Sequence, residues 1–279
     1  MNIGIDGGAL FPEDKRLQVG VHRVTMDLVK AVSEIRTVSS VRVYGFRQGS
    51  SNALPPKARW VWIWPPRGFL QIGIPIQTLL HPVDCFIAAS QAMPRYFHTP
   101  TLGCVYDVSF LKNPSAYPNS YRTLVSQTEY LVHASSHILT ISQATKNDII
   151  REYSIDPEKI TVAYPPVSVP KQKTPELAIR DKILYVGALK PGKEIPVLLE
   201  AYAQYRKKSK NPLPLYLVGG DYWYDPRIDD AIRNYSLEES VVKTGFVPDE
   251  KLQALYREAR VFVSVSPYEG FCLPAAEAQ

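Results

Sequence analysis

Short runs rich in β-branched residues alternate with longer amphipathic stretches along the whole chain, the pattern that predicts a parallel sheet covered by helices. Such runs occur at 3–6, 41–44, 60–63, 85–88, 101–106, 138–141 and 160–163, and each is expected as a strand. Between them apolar residues recur at helical spacing. Val24, Leu28, Ala31, Val32 and Ile35 form one stripe, and Tyr121, Leu124, Val125, Thr128, Leu131 and Val132 another. Ser142 stands where an N-cap belongs, just before a helix holding Ile149 and Ile150.

The alternation then breaks. Pro165, Pro166, Pro170 and Pro175 fall in a short polar stretch with Lys171, Gln172 and Lys173. Proline removes backbone donors and resists both helix and central strand, so residues 166–180 read as a linker. It separates an N-terminal domain at 1–165 from a second domain at 181–279. In the second, strands are expected at 183–186, 215–218, 241–243 and 261–265. The helices between them carry Ile195, Leu198, Leu199 and Tyr202, then Ile228, Ala231, Ile232 and Tyr235, then Leu252, Leu255, Tyr256 and Ala259. Asp225 and Pro226 suit the cap and first turn of the middle one. The fold class is therefore α/β, two Rossmann-like doubly wound domains whose sheet ends are expected to face a common cleft. The last periodic segment runs to Gln279 without a C-cap or a following strand. That pattern predicts an incomplete second domain with roughly 80 to 100 residues missing, so that residues 1–279 alone are expected to be inactive or poorly stable.

Composition narrows the picture. At 279 residues the chain exceeds one typical domain, and 45% hydrophobic with 21% charged residues is ordinary for a globular protein. The net charge of +5 comes from 32 basic against 27 acidic residues, read as solubility charge. No basic block interleaved with aromatics appears, so no nucleic-acid partner is expected. Cys85, Cys104 and Cys272 are odd in number and form no CxxC pair, which argues against a disulfide framework or thiolate metal site and for a reducing compartment. The first residues lack the basic and apolar regions of a signal peptide and read as a strand. Residues 69–80 are too short to span a bilayer; they read as a buried amphipathic helix, with peripheral membrane contact as the other reading.

Candidate chemistry concentrates at the end of the chain. The first strand-to-helix loop has Gly7, Gly8 and Gly20 but no GxGxxG, so a dinucleotide site there lacks support. In Tyr268-Glu269-Gly270-Phe271-Cys272-Leu273-Pro274-Ala275-Ala276-Glu277-Ala278, two glutamates eight positions apart flank a turn from strand into helix. Backbone N–H groups opening a helix suit a diphosphate. By spacing alone, Glu269 and Glu277 fit sugar and ribose contacts or a pair of surface acids equally well.

This segment closely resembles the E-G-F-G-L-P-x-x-E-A signature of retaining glycosyltransferases of GT-B fold, group 1 or family 4, including mannosyltransferase-like members. Thr244-Gly245-Phe246-Val247-Pro248, followed by Leu252, Leu255, Tyr256 and Ala259, resembles the G-[YF]-V segment of that family. Tyr185-Val186-Gly187-Ala188-Leu189-Lys190-Pro191-Gly192-Lys193 is similar to its V-G-x-x-x-P-R-K loop. Ile5-Asp6, Gly20-Val21-His22-Arg23, Tyr106-Asp107, Thr140-Ile141-Ser142-Gln143 and Glu158-Lys159-Ile160-Thr161-Val162 follow in the family's order, so the likeness covers nearly the whole chain.

The resemblance implies hexosyl transfer, with retention, from a nucleotide sugar (GDP- or UDP-linked, GDP-mannose favoured) to a glycan or lipid-linked acceptor. It calls for no cofactor or metal. It implies that Lys193 stabilises charge on the leaving diphosphate and that Glu269 binds the transferred sugar as the second catalytic residue. Gly187, Lys190, Phe246, Gly270, Phe271, Cys272, Leu273 and Glu277 would hold the donor, and Gly20, His22, Tyr106 and Asp107 would line the acceptor side. The location implied is cytoplasmic, peripheral to the inner face of the membrane. Departures stand beside the match. Ala188 and Gly192 occupy positions where the family often has arginine, Cys272 replaces a glycine, and Tyr106 replaces a histidine. A sugar-nucleotide epimerase and a binding module without transfer activity stay open as other readings.

Overall fold

The computed structural model describes residues 1–10, 20–49, 51–167, 180–220 and 224–279. The chain divides into two compact units, Met1–Pro166 and Val167–Gln279. Most of the stretch expected as a linker, including Pro170, Lys171, Gln172, Lys173 and Pro175, lies outside the described residues.

The first unit holds a seven-stranded, all-parallel sheet. Its strands are β1 (Asn2–Asp6), β2 (Ser40–Gly45), β3 (Ala58–Trp62), β4 (Cys85–Ala88), β5 (Thr101–Val105), β6 (His137–Thr140) and β7 (Ile160–Val162), in the order β3-β2-β1-β4-β5-β6-β7. Helices α1 (Val21–Glu34), α2 (Ile74–Leu80), α3 (Ser109–Lys112), α4 (Tyr121–Ala134) and α5 (Gln143–Tyr153) connect them. Ile3, Ile5, Val41, Val43 and Ile87 from the sheet meet Val29 and Val32 of α1 in a closed core. Each such aliphatic side chain contributes about 1.5–3 kcal/mol on burial. Ser142 caps α5 as expected, its hydroxyl accepting from the Thr145 N–H at 3.0 Å.

One expectation is overturned. Residues 69–80 form a π-turn (Phe69–Gly73) running into α2, but only one face is buried, through Phe69, Ile74 and Thr78. Ile72, Ile76, Leu79 and Leu80 are 61%, 49%, 80% and 64% exposed. The stretch carries two apolar stripes, and packing against the sheet can use only one of them. Among the described residues no helix is long and apolar enough to cross a membrane.

The second unit repeats the plan with four parallel strands, β8 (Lys182–Val186), β9 (Leu215–Val218), β10 (Val241–Gly245) and β11 (Ala259–Phe262), ordered β10-β9-β8-β11. Its helices are α6 (Ile195–Lys208), α7 (Arg227–Asn234), α8 (Asp249–Glu258) and α9 (Leu273–Glu277). Leu198, Leu199 and Tyr202 of α6 and Ile228 and Ile232 of α7 pack on Tyr185, Leu215 and Leu217. β11 lies two to three residues earlier than the apolar alternation suggests. Val263 and Val265 still face the core, and the Val263 N–H donates to the Leu184 carbonyl at 2.9 Å, but the ladder ends before them.

Both sheets reverse direction once. The chain builds outward from β1 to β3 and returns to place β4 on the other side of β1; it builds outward from β8 to β10 and returns to place β11 beside β8. Ligands of such sheets bind outside the carboxyl ends of the strands at this reversal.

Candidate functional site

In the second unit the reversal lies between β8 and β11, so the loops that follow these strands leave the sheet side by side. The loop after β8 carries Lys193 and the loop after β11 carries Glu269, 76 positions later. Their side chains meet, the Lys193 Nζ donating to Glu269 Oε1 at 2.5 Å, with 22% and 28% of each side chain exposed. The two residues singled out for catalysis thus form one half-buried ion pair at the place where the topology predicts a ligand.

The β8 loop is built around close backbone approach. Gly187 sits above the buried Tyr185 ring, and a Cβ added there would fall 2.8 Å from the Tyr185 hydroxyl. That hydroxyl donates to the Ala188 carbonyl at 3.4 Å. Burial, followed by the nearby Glu269 carboxylate and Cys272, pushes the Tyr185 phenol well above its ordinary value, so it stays a neutral donor. The Lys193 N–H donates to the Lys190 carbonyl at 3.2 Å, closing a turn that contains Gly192 at φ 88°.

A neighbouring brace holds this loop in place. The Leu189 N–H donates to Gly220 O at 3.0 Å, and the Asp225 N–H donates to Leu189 O at 2.9 Å. The carboxylate of buried Asp225 then accepts from the Arg227 guanidinium at 2.8–3.1 Å and from the Arg227 backbone N–H at 3.1 Å. Arg227 also reaches Glu194, which begins α6, at 3.8 Å. Asp225 was legible as a cap for α7, and its backbone contact fits that role; its brace with Arg227 against the lysine loop was not legible.

The β11 loop ends in α9, whose N-cap is Cys272 at φ 61°, ψ 62°, a left-handed conformation. Gly270 is buried, while Phe271 and Leu273 are half-buried. The glycine that the related signature carries at the Cys272 position has a backbone reason. A side chain in this conformation costs about 1–2 kcal/mol, partly offset by the smaller chain entropy that a non-glycine residue loses on folding. Cys272→Gly is expected to stabilise the second unit by about 0.5–1 kcal/mol, read as a rise of a few degrees in its melting temperature. A fall would show that the Sγ contact to Ser264 Oγ, at 3.9 Å, outweighs the strain.

Glu277 lies on α9, and its Oε2 accepts from the Tyr256 hydroxyl of α8 at 2.9 Å. The sequence shows Tyr256 as part of an apolar helix stripe and of the family-like segment after Phe246, without a role for its hydroxyl. Its ring fixes one oxygen of the carboxylate assigned to ribose. Phe246, assigned to the donor, follows β10, two strands from β8, and is 38% exposed. Its neighbour Gly245 accepts from the Gly219 N–H at 3.1 Å.

The four acceptor-side residues belong to the first unit. Gly20, at φ 49°, is the exposed N-cap of α1. His22, in the first turn of α1, is half-buried, and burial lowers its pKa below the ordinary histidine value. Tyr106 is buried at 8% exposure and its hydroxyl donates to the Ala89 carbonyl at 2.7 Å, with Thr25 of α1 at 3.5 Å. Its side chain therefore packs beneath α1, and burial drives its pKa upward. Asp107 is half-buried, with Oδ1 accepting from the Ser109 N–H at 2.8 Å and the Ser109 hydroxyl at 2.6 Å, a turn that starts α3. The structure thus places Tyr106 and Asp107 in local structural bonds, while Gly20 and His22 stand at the start of α1.

Comparison with known proteins gives this geometry a context. Residues 171–279 match the family model for glycosyl transferases group 1. O-antigen chain mannosyltransferase B of Escherichia coli is 31% identical over 185 residues, 62% of this chain and 49% of that protein. The chain thus spans about half the length of this curated relative. Among solved structures, WaaG, a glycosyltransferase involved in lipopolysaccharide biosynthesis, aligns with a TM-score of 0.72 at 15% identity, over 99% of this chain and 78% of its own. Anabaena HepE, solved with UDP and glucose, aligns with a TM-score of 0.69 at 17% identity, over 100% and 78%. Residues 171–279 thus match the group 1 glycosyl transferases, and the parallel-sheet units share the GT-B type of fold of these neighbours.

Proposed function

We propose that the protein containing this chain transfers a hexosyl group, mannose being favoured by its likeness to an O-antigen mannosyltransferase, from a GDP- or UDP-linked sugar to a glycan or lipid-linked acceptor. The anomeric configuration is retained, and the reaction runs in the cytoplasm. The observation that carries this reading is the Lys193–Glu269 pair at the reversal between β8 and β11.

In this reading the Lys193 ammonium exchanges its carboxylate partner for the donor diphosphate and neutralises the charge that grows on the leaving oxygen. Glu269, released from the lysine, accepts hydrogen bonds from hydroxyls of the transferred sugar. Glu277, oriented by the Tyr256 hydroxyl, accepts from the ribose. The acceptor oxygen attacks the anomeric carbon from the face the diphosphate leaves, and a phosphate oxygen takes its proton, which preserves configuration without a glycosyl-enzyme intermediate. Phosphate charge is assigned to Lys193, with Lys190 on the same loop as a second cation, and the reading calls on no metal ion. The Anabaena HepE structure, which shares this fold, holds UDP and glucose, and this supports a nucleotide sugar as the donor.

Calorimetric titration of the full-length gene product with GDP-mannose, UDP-glucose and UDP-GlcNAc tests this. One donor is expected to bind selectively. Glu277→Ala should weaken it about tenfold or more, the usual cost of losing a hydrogen bond to a charged group, and Tyr256→Phe by a smaller factor. Binding of no donor, or variants that bind as the parent does, would remove the assignment.

A further inference from the structure

Lys193 stands at the end of a short tip, residues 190–193, that runs from Leu189 to Glu194. Both ends of the tip are fixed from outside the loop. Leu189 is buried at its root, and Glu194, the N-cap of α6, is left-handed at φ 49°, ψ 39°, a conformation that disfavours any side chain. Residues persist in such a conformation where their surroundings over-determine them, and they gather at functional sites. Glu194 directly follows Lys193, so its dihedral angles set the direction in which the lysine leaves the start of the helix.

One pair of residues holds the two ends. Asp225, 2% exposed, donates its N–H to Leu189 O at 2.9 Å, and its carboxylate takes Nε and Nη2 of the Arg227 guanidinium at 2.8–3.1 Å. The same Nη2 extends to Glu194 Oε1 at 3.8 Å. Ile228, the next residue, is fully buried, which roots the pair in the core beneath α7. With 54% of its side chain exposed, Arg227 gains little stability from its contact with Glu194. What it supplies is a planar, preformed bridge from the Leu189 end of the tip to the Glu194 end. Placement on this scale matters, because a displacement of about 1 Å in a group that meets a substrate can cost about a hundredfold in rate.

We propose that Arg227, held by Asp225, is a positioning residue for Lys193: through Glu194 it keeps the lysine where a nucleoside diphosphate presents its phosphates. The inference rests on the assignment of Lys193 to the donor diphosphate made above.

Titration of the full-length gene product with GDP and UDP, and with guanosine and uridine, which carry no phosphate, tests it. Arg227→Gln should weaken the diphosphate that binds about fivefold, the upper worth of a partly exposed ion pair, and leave the matching nucleoside at its parental affinity. Arg227→Gln strips the buried Asp225 carboxylate of its partner and can unfold the unit. Asp225→Asn/Arg227→Gln removes both charges together and should show the same selective loss in a protein that melts as a folded unit. Added to Lys193→Ala, the paired change should cost nothing further, as expected of residues that act through that lysine. The proposal is overturned if the paired variant binds the diphosphate as the parent does, if nucleoside affinity falls by the same factor, or if the loss persists in full on Lys193→Ala. Parental diphosphate binding by Lys193→Ala itself would remove the donor assignment and this role with it. A loss in Lys193→Ala beside parental binding in the paired variant would remove the positioning role alone.

Discussion

Lys193→Ala is expected to lower sugar transfer by the full-length gene product about a hundredfold or more, the scale seen when one donor to a developing negative charge is removed, and to weaken nucleoside diphosphate binding with it. Glu269→Gln should behave differently. In the structure Glu269 holds Lys193 at 2.5 Å, so an incoming diphosphate must displace a carboxylate. A neutral amide competes less, and the nucleoside diphosphate alone should bind up to about fivefold more tightly, the worth of a partly exposed charge pair. Transfer should still fall, because the amide replaces two acceptor oxygens with one and presents a donor to the sugar hydroxyls. Rate measurements with the preferred donor, together with titration of the bare nucleotide, separate the two effects. A Lys193→Ala variant that transfers at the parental rate would eliminate the ion pair as the site, and tighter nucleotide binding would be absent from Glu269→Gln if the carboxylate were a bystander.

The second large effect concerns the backbone under this site. Gly219→Ala should destabilise the second unit by about 3 kcal/mol, in the range of severe overpacking, and lower its melting temperature by about 10–20 °C. A Cβ at Gly219 would fall 2.0 Å from the Gly187 carbonyl oxygen and 2.6 Å from its carbon. Neither strand end can yield cheaply. The Gly187 N–H is bonded to Val218 O at 2.9 Å and the Gly219 N–H to Gly245 O at 3.1 Å. Gly220 is the internal control, since a Cβ there meets nothing within 4 Å. Calorimetric melts of Gly219→Ala and Gly220→Ala that coincide would contradict the close approach.

The strands and the principal helices were readable from the chain because they depend on local pattern, whereas the candidate site residues were assigned through motif likeness. The β-branched runs around Ile3, Val41 and Leu215 and the helical stripes through Val29 and Leu131 are short-range signals. The contact between Lys193 and Glu269 is of another kind. Both residues were assigned to one ligand through motif likeness, yet their meeting depends on β11 returning to lie beside β8, and strand order is not written in either loop. Tyr256 escaped notice for a related reason. An aromatic residue at helical spacing reads as core, and only the placement of α9 turns its hydroxyl toward Glu277. Residues 69–80 were misread because hydrophobic periodicity reports that stripes exist and not which stripe the sheet covers. Phe69, Ile74 and Thr78 won the inward position, and Ile72, Ile76, Leu79 and Leu80 were left outside.

The strand order β10-β9-β8-β11 also sets a timetable for synthesis. A ribosome delivers β8, the lysine loop, β9 and β10 first, and these can pair as a three-stranded sheet with Lys193 already in place. Glu269 and its loop arrive only after β11 has emerged and closed against β8, a pairing between residues as distant as Lys182 and Ala259. Long-range closures of this kind are the late events of folding. The nascent protein therefore passes through a stage in which Lys193 is in place and its carboxylate partner Glu269 is not. At that stage any polyanion in the cell, nucleotides included, meets Lys193 without competition from Glu269.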